Sequence, residues 1–488
     1  MLTANAPTST RKAVPIFGLG QQARSPFLSS VTRINAMIES NENGRQQVAI
    51  LGMPGLSTVT TIGPTPARGI FVREGEAIFY MVIAHEVYKV TPGAYRKIGD
   101  LATASGPVWM DENGVQLFIN DGLAPHIYTF ASEAFDPITD GDYPTGARGG
   151  VYLDGRFWVY VVSGQNKGRV YASDIKDGKS WDGLNFFEPS ASPDSIIAVV
   201  RYASDLLILG SGSVEWWGAV PSSIPGALGF QPSATANTEI GGISELGHAK
   251  SGQSLFFVGH EGGDVGIYRA NGYTIEPVDD PGVSDSLTPS VAISAICTSY
   301  SIDGHSFFQV TAPSTDYAVA STWVYDGHSG QWSKRESDGL PYYRGLFAVS
   351  SGGATYVSDA FTGRLSRMDE NVYTENGGIL PFEVTSQHLL KEGDHITMHG
   401  IQIDMENGVG NAVEPGSNPH LILSVSKDGG RTWPIVRHVS IGRAGQYLKR
   451  VRAMQFGAGH DIAVRLRITD PIPRRITGAY LEMEPNYA

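Results

Sequence analysis

The run Ser426-x-Asp428-x-Gly430-x-Thr432-Trp433 sets a carboxylate between two hydroxyls, with an indole closing the series. A carboxylate so placed could do acid or base chemistry, and the pattern is shared with the Asp-box of sialidases and many propeller proteins. The same residue types also have a purely conformational use. Asp hydrogen-bonds the backbone two residues on, Gly takes positive φ without steric cost, and Trp433 can fold back over the bend. The expected role of Ser426, Asp428, Gly430, Thr432 and Trp433 is therefore a structural hairpin turn.

Other constellations resolve in the same direction. On a helix, His395-x-x-x-His399 would put two imidazoles on one face, as a zinc site needs. The surrounding residues read as a strand, where the two rings would stand about 13 Å apart, so no metal site is expected. Trp216-Trp217, after Ser213-Val214-Glu215, could form a stacking platform for sugar rings. Neighbours in a strand point to opposite faces, so one indole is expected in a core and the other at an inter-blade or subunit contact. Gly178-Lys179-Ser180 resembles the end of a phosphate loop, but Ser173 stands where the first glycine belongs. Arg68, Arg148, Arg201 and Arg344 lie near recurrent strand starts. They could converge on a substrate carboxylate, or form salt bridges between neighbouring units. No G-x-S-x-G elbow occurs. No catalytic residue and no cofactor are expected.

These residues need elements to hold them. Leu421, Leu423 and Val425 alternate with Ile422, Ser424 and Ser426, as a half-buried strand requires, and Lys427-Asp428-Gly429-Gly430 reverses the chain. With 488 residues, 59 glycines and only 17% charged residues, the chain predicts several domains of short strands and tight turns. Helical periodicity is absent beyond about residue 40. The single Cys297 forms no internal disulfide, so the fold is expected to be stable in a reducing cytoplasm or indifferent to redox state. No apolar run approaches the roughly 20 residues of a membrane span. Pro15, Gly18 and Gly20 interrupt the apolar patch after Arg11-Lys12, which argues against a secretory leader.

Residues 1–45 are polar and read as an extended arm. A repeated texture of three strands and turns then begins, with units at 70–90, 108–130 and 151–172 and further starts near Ile197, Ile243, Ile293 and Leu346. Starts recur every 40 to 50 residues or so, the range of propeller blades, which gives six or seven of them. After Asn376-Gly377-Gly378 the runs lengthen, at 396–405, 421–426, 448–456, 461–469 and 475–483. The fold class expected is all-β, a β-propeller followed by a C-terminal antiparallel β-sandwich. The divisions are an N-terminal arm and docking segment (1–64), a propeller (65–375) and a sandwich (376–488). A pair of sandwiches is the alternative.

Charge is unevenly placed. Residues 420–475 hold 11 Lys/Arg against 3 acids, a net +8 within an overall −13, so the remainder carries −21. A basic C-terminal piece is attached to an acidic body. Its basic face can be a solvated sheet surface or can meet an acidic partner, and Arg443, Arg450 and Arg452 are candidate interface residues together with Trp216 and Trp217.

Several stretches carry a resemblance. Asn35-Ala36-Met37-Ile38-Glu39, Met53-Pro54-Gly55-Leu56, Arg68-Gly69, Ser213-Val214-Glu215-Trp216-Trp217 and the C-terminal block from Ser426 through Arg452 to Glu484 look like the packaged-DNA-stabilisation, or tail hub, proteins of short-tailed bacteriophages such as P22. Met37 and Ile38 stand where that family usually has Tyr and Pro. The resemblance implies a structural protein of the virion tail, assembled in the host cytoplasm. It would form a homo-oligomer of six copies, a nozzle below the portal-adaptor (head-to-tail connector) ring, with a tailspike or tail fibre outside and a tail needle or tip protein at the end. Genomic DNA would pass transiently through its lumen. The alternative class is a propeller glycosidase or glycan-binding tail protein acting on host surface polysaccharide.

Overall fold

Short antiparallel strands with two apolar faces cannot fold singly, and here each four-stranded unit buries both faces against its neighbours. The computed structural model describes residues 12–13, 17, 20, 31–40, 48–73, 75–189, 194–221, 228–234, 239–314, 316, 320–390 and 395–486.

Among these residues seven sheets follow one another as propeller blades. Their innermost strands are Ala67–Val72, Trp109–Glu112, Ala147–Leu153, Ile196–Tyr202, the split pair Ile240–Gly242 and His248–Ser251, Ile296–Ile302, and Gly345–Ser351. These pack side by side around an axis, and the last lies against the first. Seven hydrophobic clusters fill the seven blade interfaces. The strand Phe79–Ile83 shows how: Tyr80 and Val82 enter the cluster shared with the second blade, while Phe79, Met81 and Ile83 enter the one shared with the seventh. Alternation thus distributes side chains between two cores, and each large apolar side chain contributes about 1.5–3 kcal/mol of burial.

The ring closes through the N-terminal region. Blade seven receives its outer strand from Gly55–Thr61, which pairs antiparallel with Arg364–Asp369. Gly55 begins that strand because nothing larger fits: a Cβ there would lie 2.3 Å from the Val372 carbonyl oxygen and 2.4 Å from that of Thr374.

The sandwich is built from two sheets around a single core. One contains Ala36–Ser40, Val48–Gly52, Arg475–Asn486, His395–Met405 and Val451–Gly459 in that order, and Lys12–Ala13 adds to Arg475–Asn486. The other runs through Phe382–Thr385, Asp461–Ile468, His420–Ser426 and Ile435–Ser440. This second sheet is continuous with blade six: Arg33–Ile34 pairs parallel with Gln331–Lys334 on one side and antiparallel with Phe382–Thr385 on the other.

Residues 33–61 therefore depart from the expected extended arm: they supply strands to both domains and to the sheet that joins them. The remainder of that segment lies largely outside the described residues. Asn35 makes the crossing between sheets. Its φ of 51° is a left-handed conformation that Asn tolerates, and its amide nitrogen donates to the carbonyls of Glu336 (2.7 Å) and Pro381 (2.8 Å). Met37 packs between blades six and seven with Met53 and Leu56, so the departure from the family pattern at that position is taken up inside the chain. The expected strand at 448–456 begins later, at Val451.

Candidate functional site

The turn at 426–433 forms as its residue types demand. Ser426 Oγ donates to Asp428 Oδ1 (2.7 Å) and accepts from the Gly430 N–H (2.8 Å), while Thr432 donates through N–H to Asp428 Oδ1 (2.9 Å) and through Oγ1 to Oδ2 (2.6 Å). The Thr432 hydroxyl and N–H, with the Ser426 hydroxyl, hold the Asp428 carboxyl down at about 2. Gly429 and Gly430 take φ of 69° and 82°. Trp433 lies over Gly430 and beneath the Arg465 guanidinium, 4.4 Å from its ring centre. Both carboxylate oxygens are thereby occupied by the turn itself.

Trp216 and Trp217 are both buried. Trp216 sits between blades four and five with its ring edge-on to Tyr273, and Trp217 sits between blades three and four, stacked 4.3 Å from Phe187 and donating Nε1–H to Glu215 (2.9 Å). They point to opposite faces as expected, but each face is an inter-blade core. Of the two alternatives for the second indole, the inter-blade contact is the one seen, and the subunit contact is corrected, because both rings are buried within the chain.

The four arginines go to separate partners. Arg68 donates to the carbonyls of Ala84, Thr103, Ser105 and Gly106 and to the Thr103 hydroxyl. Arg148 pairs with Glu245, joining blade three to blade five. Arg344 pairs with Asp359 within blade seven at 2.5 Å. Arg201 lines the axial cavity. These side chains assemble no common carboxylate clamp.

The axis itself holds two cavities of about 490 and 360 Å³. The larger is lined by Arg68, Glu245, Leu246 and Phe347, the smaller by Trp109, Asp111, Arg201, His248 and Cys297. Burial pushes the Asp111 carboxyl up, against backbone N–H donors from Tyr152 and Glu112 and the charge of Arg201. Burial depresses His248 to about 4, leaving a neutral imidazole, and raises the Cys297 thiol. Cavities of this size suit small molecules, not a nucleic-acid duplex.

His395 lies against His460, with ring centres 3.6 Å apart, whereas His399 Nε2 faces Glu484 at 3.3 Å. The two histidines thus meet different partners. His85, Glu86 and Asp100 cluster closely enough to suggest a cation site. Lys97 already supplies the cation, with Nζ 2.7 Å from both Glu86 and Asp100.

The candidate basic residues of the sandwich behave differently. Arg452 forms a forked pair with Glu482, both bonds 2.8 Å. Arg443 and Arg450 are exposed on the loop between Ile435–Ser440 and Val451–Gly459. Two residues of that loop are not expected at the surface from the sequence, Leu448 being read there as a strand start: Tyr447 and Leu448 are 72% and 97% exposed. Gly442 and Gly445 on their N-terminal side were the available signal, since both take positive φ.

Comparison with known proteins follows the same division. The profile described as bacteriophage P22 Gp10, beta-propeller matches residues 12–373, and that described as bacteriophage P22 Gp10, beta-sandwich matches residues 381–484. No curated protein sequence matches. Among solved structures, the extracellular domain of the putative hybrid two component system BT4673 from B. thetaiotaomicron aligns at 8% identity with a TM-score of 0.44, covering 68% of this chain and 45% of that one. The computationally designed Ika8 protein aligns at 9% identity with a TM-score of 0.39, covering 70% of this chain and 96% of that one. Among the described residues, no helix is long and apolar enough to cross a membrane. With both profiles matched in order along nearly the whole length, the chain belongs to the bacteriophage P22 Gp10 family of structural phage tail proteins.

Proposed function

We propose that this protein is the nozzle of a short phage tail. Copies form a ring, six by analogy with the family, which extends the channel of the portal-adaptor assembly and retains the packaged genome until a needle or tip protein leaves. The outer surface carries tailspikes or fibres. The observation that carries this reading is the ordered match of propeller and sandwich to one tail-protein family over residues 12–373 and 381–484.

Two physical features support it. The axial cavities of the propeller, about 490 and 360 Å³, are of small-molecule size, so a DNA channel requires several copies around a common lumen. The −21 carried outside residues 420–475 supplies negative charge that, facing such a lumen, keeps DNA from adhering during ejection. The mechanism is mechanical.

The test is the mass of a purified portal-adaptor assembly before and after mixing with the full chain. Uptake of six copies is the expected result; an unchanged mass overturns the reading.

A further inference from the structure

The loop of residues 441–450 presents an apolar pair, Tyr447 and Leu448, largely to solvent. It is nevertheless held in place: Gly445 N–H donates to the Gly408 carbonyl (3.1 Å), Asn407 Nδ2 donates to the Lys449 carbonyl (2.7 Å), and the Tyr447 backbone and ring edge press on Gly408, where a Cβ would lie 2.9 Å away. This pinning leaves Tyr447 72% and Leu448 97% exposed, and the adjoining loop adds Val413 at 73% beside Glu414, whose carboxylate feels the charge of Arg443. Arg443, Lys449 and Arg450 surround the pair and are exposed.

A leucine and a tyrosine held outward on a braced loop gain nothing in the isolated chain. In interfaces such residues form the anchor, with charged neighbours as the rim. We infer that the 443–450 tip docks on the acidic propeller of a second copy of this chain, with Tyr447 and Leu448 as the buried anchor and Arg443, Lys449 and Arg450 as the steering rim. The occupant follows from charge: the tip lies in the +8 segment, and residues 65–375 of each additional copy hold 19 Lys/Arg against 36 acids, a net −17. One chain carries both halves of a heterologous contact, the kind that closes rings. The inference rests on the nozzle reading and adds the contact surface to it.

The test replaces Leu448 by a photo-crosslinking phenylalanine derivative in the full chain. The protein is irradiated in assembled tails and its crosslinks are read by mass spectrometry. Crosslinks to propeller peptides of another copy are expected. Crosslinks to an adaptor, spike or tip protein, or to DNA, overturn the assignment, as does their absence from tails that contain several copies. If the chain does not enter tails at all, the nozzle reading fails with it. As a companion, the variant with Leu448→Ser, which alters a side chain 97% exposed, should keep the wild-type melting temperature while copy-copy affinity falls by about thirtyfold, as loss of an anchor of about 2 kcal/mol requires. Undiminished affinity overturns the proposal.

Discussion

The propeller and the sandwich use the same residue types in opposite ways. In the propeller, Arg68 is surrounded by carbonyls, Arg148 and Arg344 have carboxylate partners, and both Trp216 and Trp217 are closed between blades. In the sandwich, Arg443 and Arg450 stand in solvent beside an exposed Tyr447 and Leu448. Composition therefore does not distinguish an internal brace from a docking surface. A strand in a propeller has two buried faces and absorbs large side chains on each, whereas a loop at the end of a sandwich has one side braced and the other open.

The sharpest break of this contrast is Trp217→Ala. It removes an indole stacked on Phe187 together with the hydrogen bond its Nε1–H donates to Glu215, so a stability loss of about 4 kcal/mol is expected in denaturant unfolding. A loss below about 1 kcal/mol would mean that the inter-blade packing is looser than described.

Arg335→Met comes next. This guanidinium is fully buried, donates to the Pro54 carbonyl (2.9 Å) and the Tyr300 hydroxyl (3.1 Å), and lies 3.9 Å from the centre of the Tyr343 ring. Its removal takes away one of the two cations, with Arg344, that favour the charged form of Glu375 buried beside Ser337, at a cost of about 3 kcal/mol. Hydrogen exchange should show the loss first in Gly55–Thr61 and Arg364–Asp369, the strands that close the ring, before the sandwich.

Glu336 tests the joint between the domains. It lies in a groove with Ile34, Pro381, Glu383 and Arg467, and burial pushes its carboxyl up to about 7, opposed by Lys334, reinforced by Glu383 and opposed again by Arg467. A folded-state value above the unfolded 4.5 means that the native protein retains a proton the unfolded chain has lost. Stability from this group is full below the unfolded value and declines as pH rises towards 7. Glu336→Gln should remove that decline, with a gain of about 1 kcal/mol at pH 8 and none at pH 4.5. Identical pH slopes for the two proteins would contradict the burial of this carboxyl.

The smallest effect is expected from Asp428→Ala. Asp428 holds the turn through Thr432 and has a folded-state value of about 2, below the unfolded 3.8. Its contribution is present above the unfolded value and lost as pH falls through the folded one. The substitution should slightly lower the sandwich melting temperature at pH 7 and leave propeller exchange rates unchanged.

What could be read from the chain was local. The 426–433 turn was legible because its hydrogen bonds close within eight residues. The opposite orientation of Trp216 and Trp217 was legible because it follows from strand geometry. That both faces are cores was not, since it depends on the blades to either side. Residues 33–61 were misread for a related reason: their strands are short, and Gly55–Thr61 pairs with Arg364–Asp369 some three hundred positions away. The run at 448–456 suggested a strand from Leu448, but the strand starts at Val451, and Asn407 Nδ2 holds the Lys449 carbonyl in the loop.

By itself, the sequence determined the all-β class, the recurrence of blade-sized units, the basic character of the C-terminal piece and the Asp428 turn, because each rests on periodicity, turn chemistry or charge carried by neighbouring residues. Only the tertiary structure decided that the N-terminal segment closes the ring, that a single sheet runs from blade six into the sandwich, and which basic residues remain open to a partner. Those outcomes depend on pairings between distant segments and on the surface left uncovered once every blade has buried both of its faces.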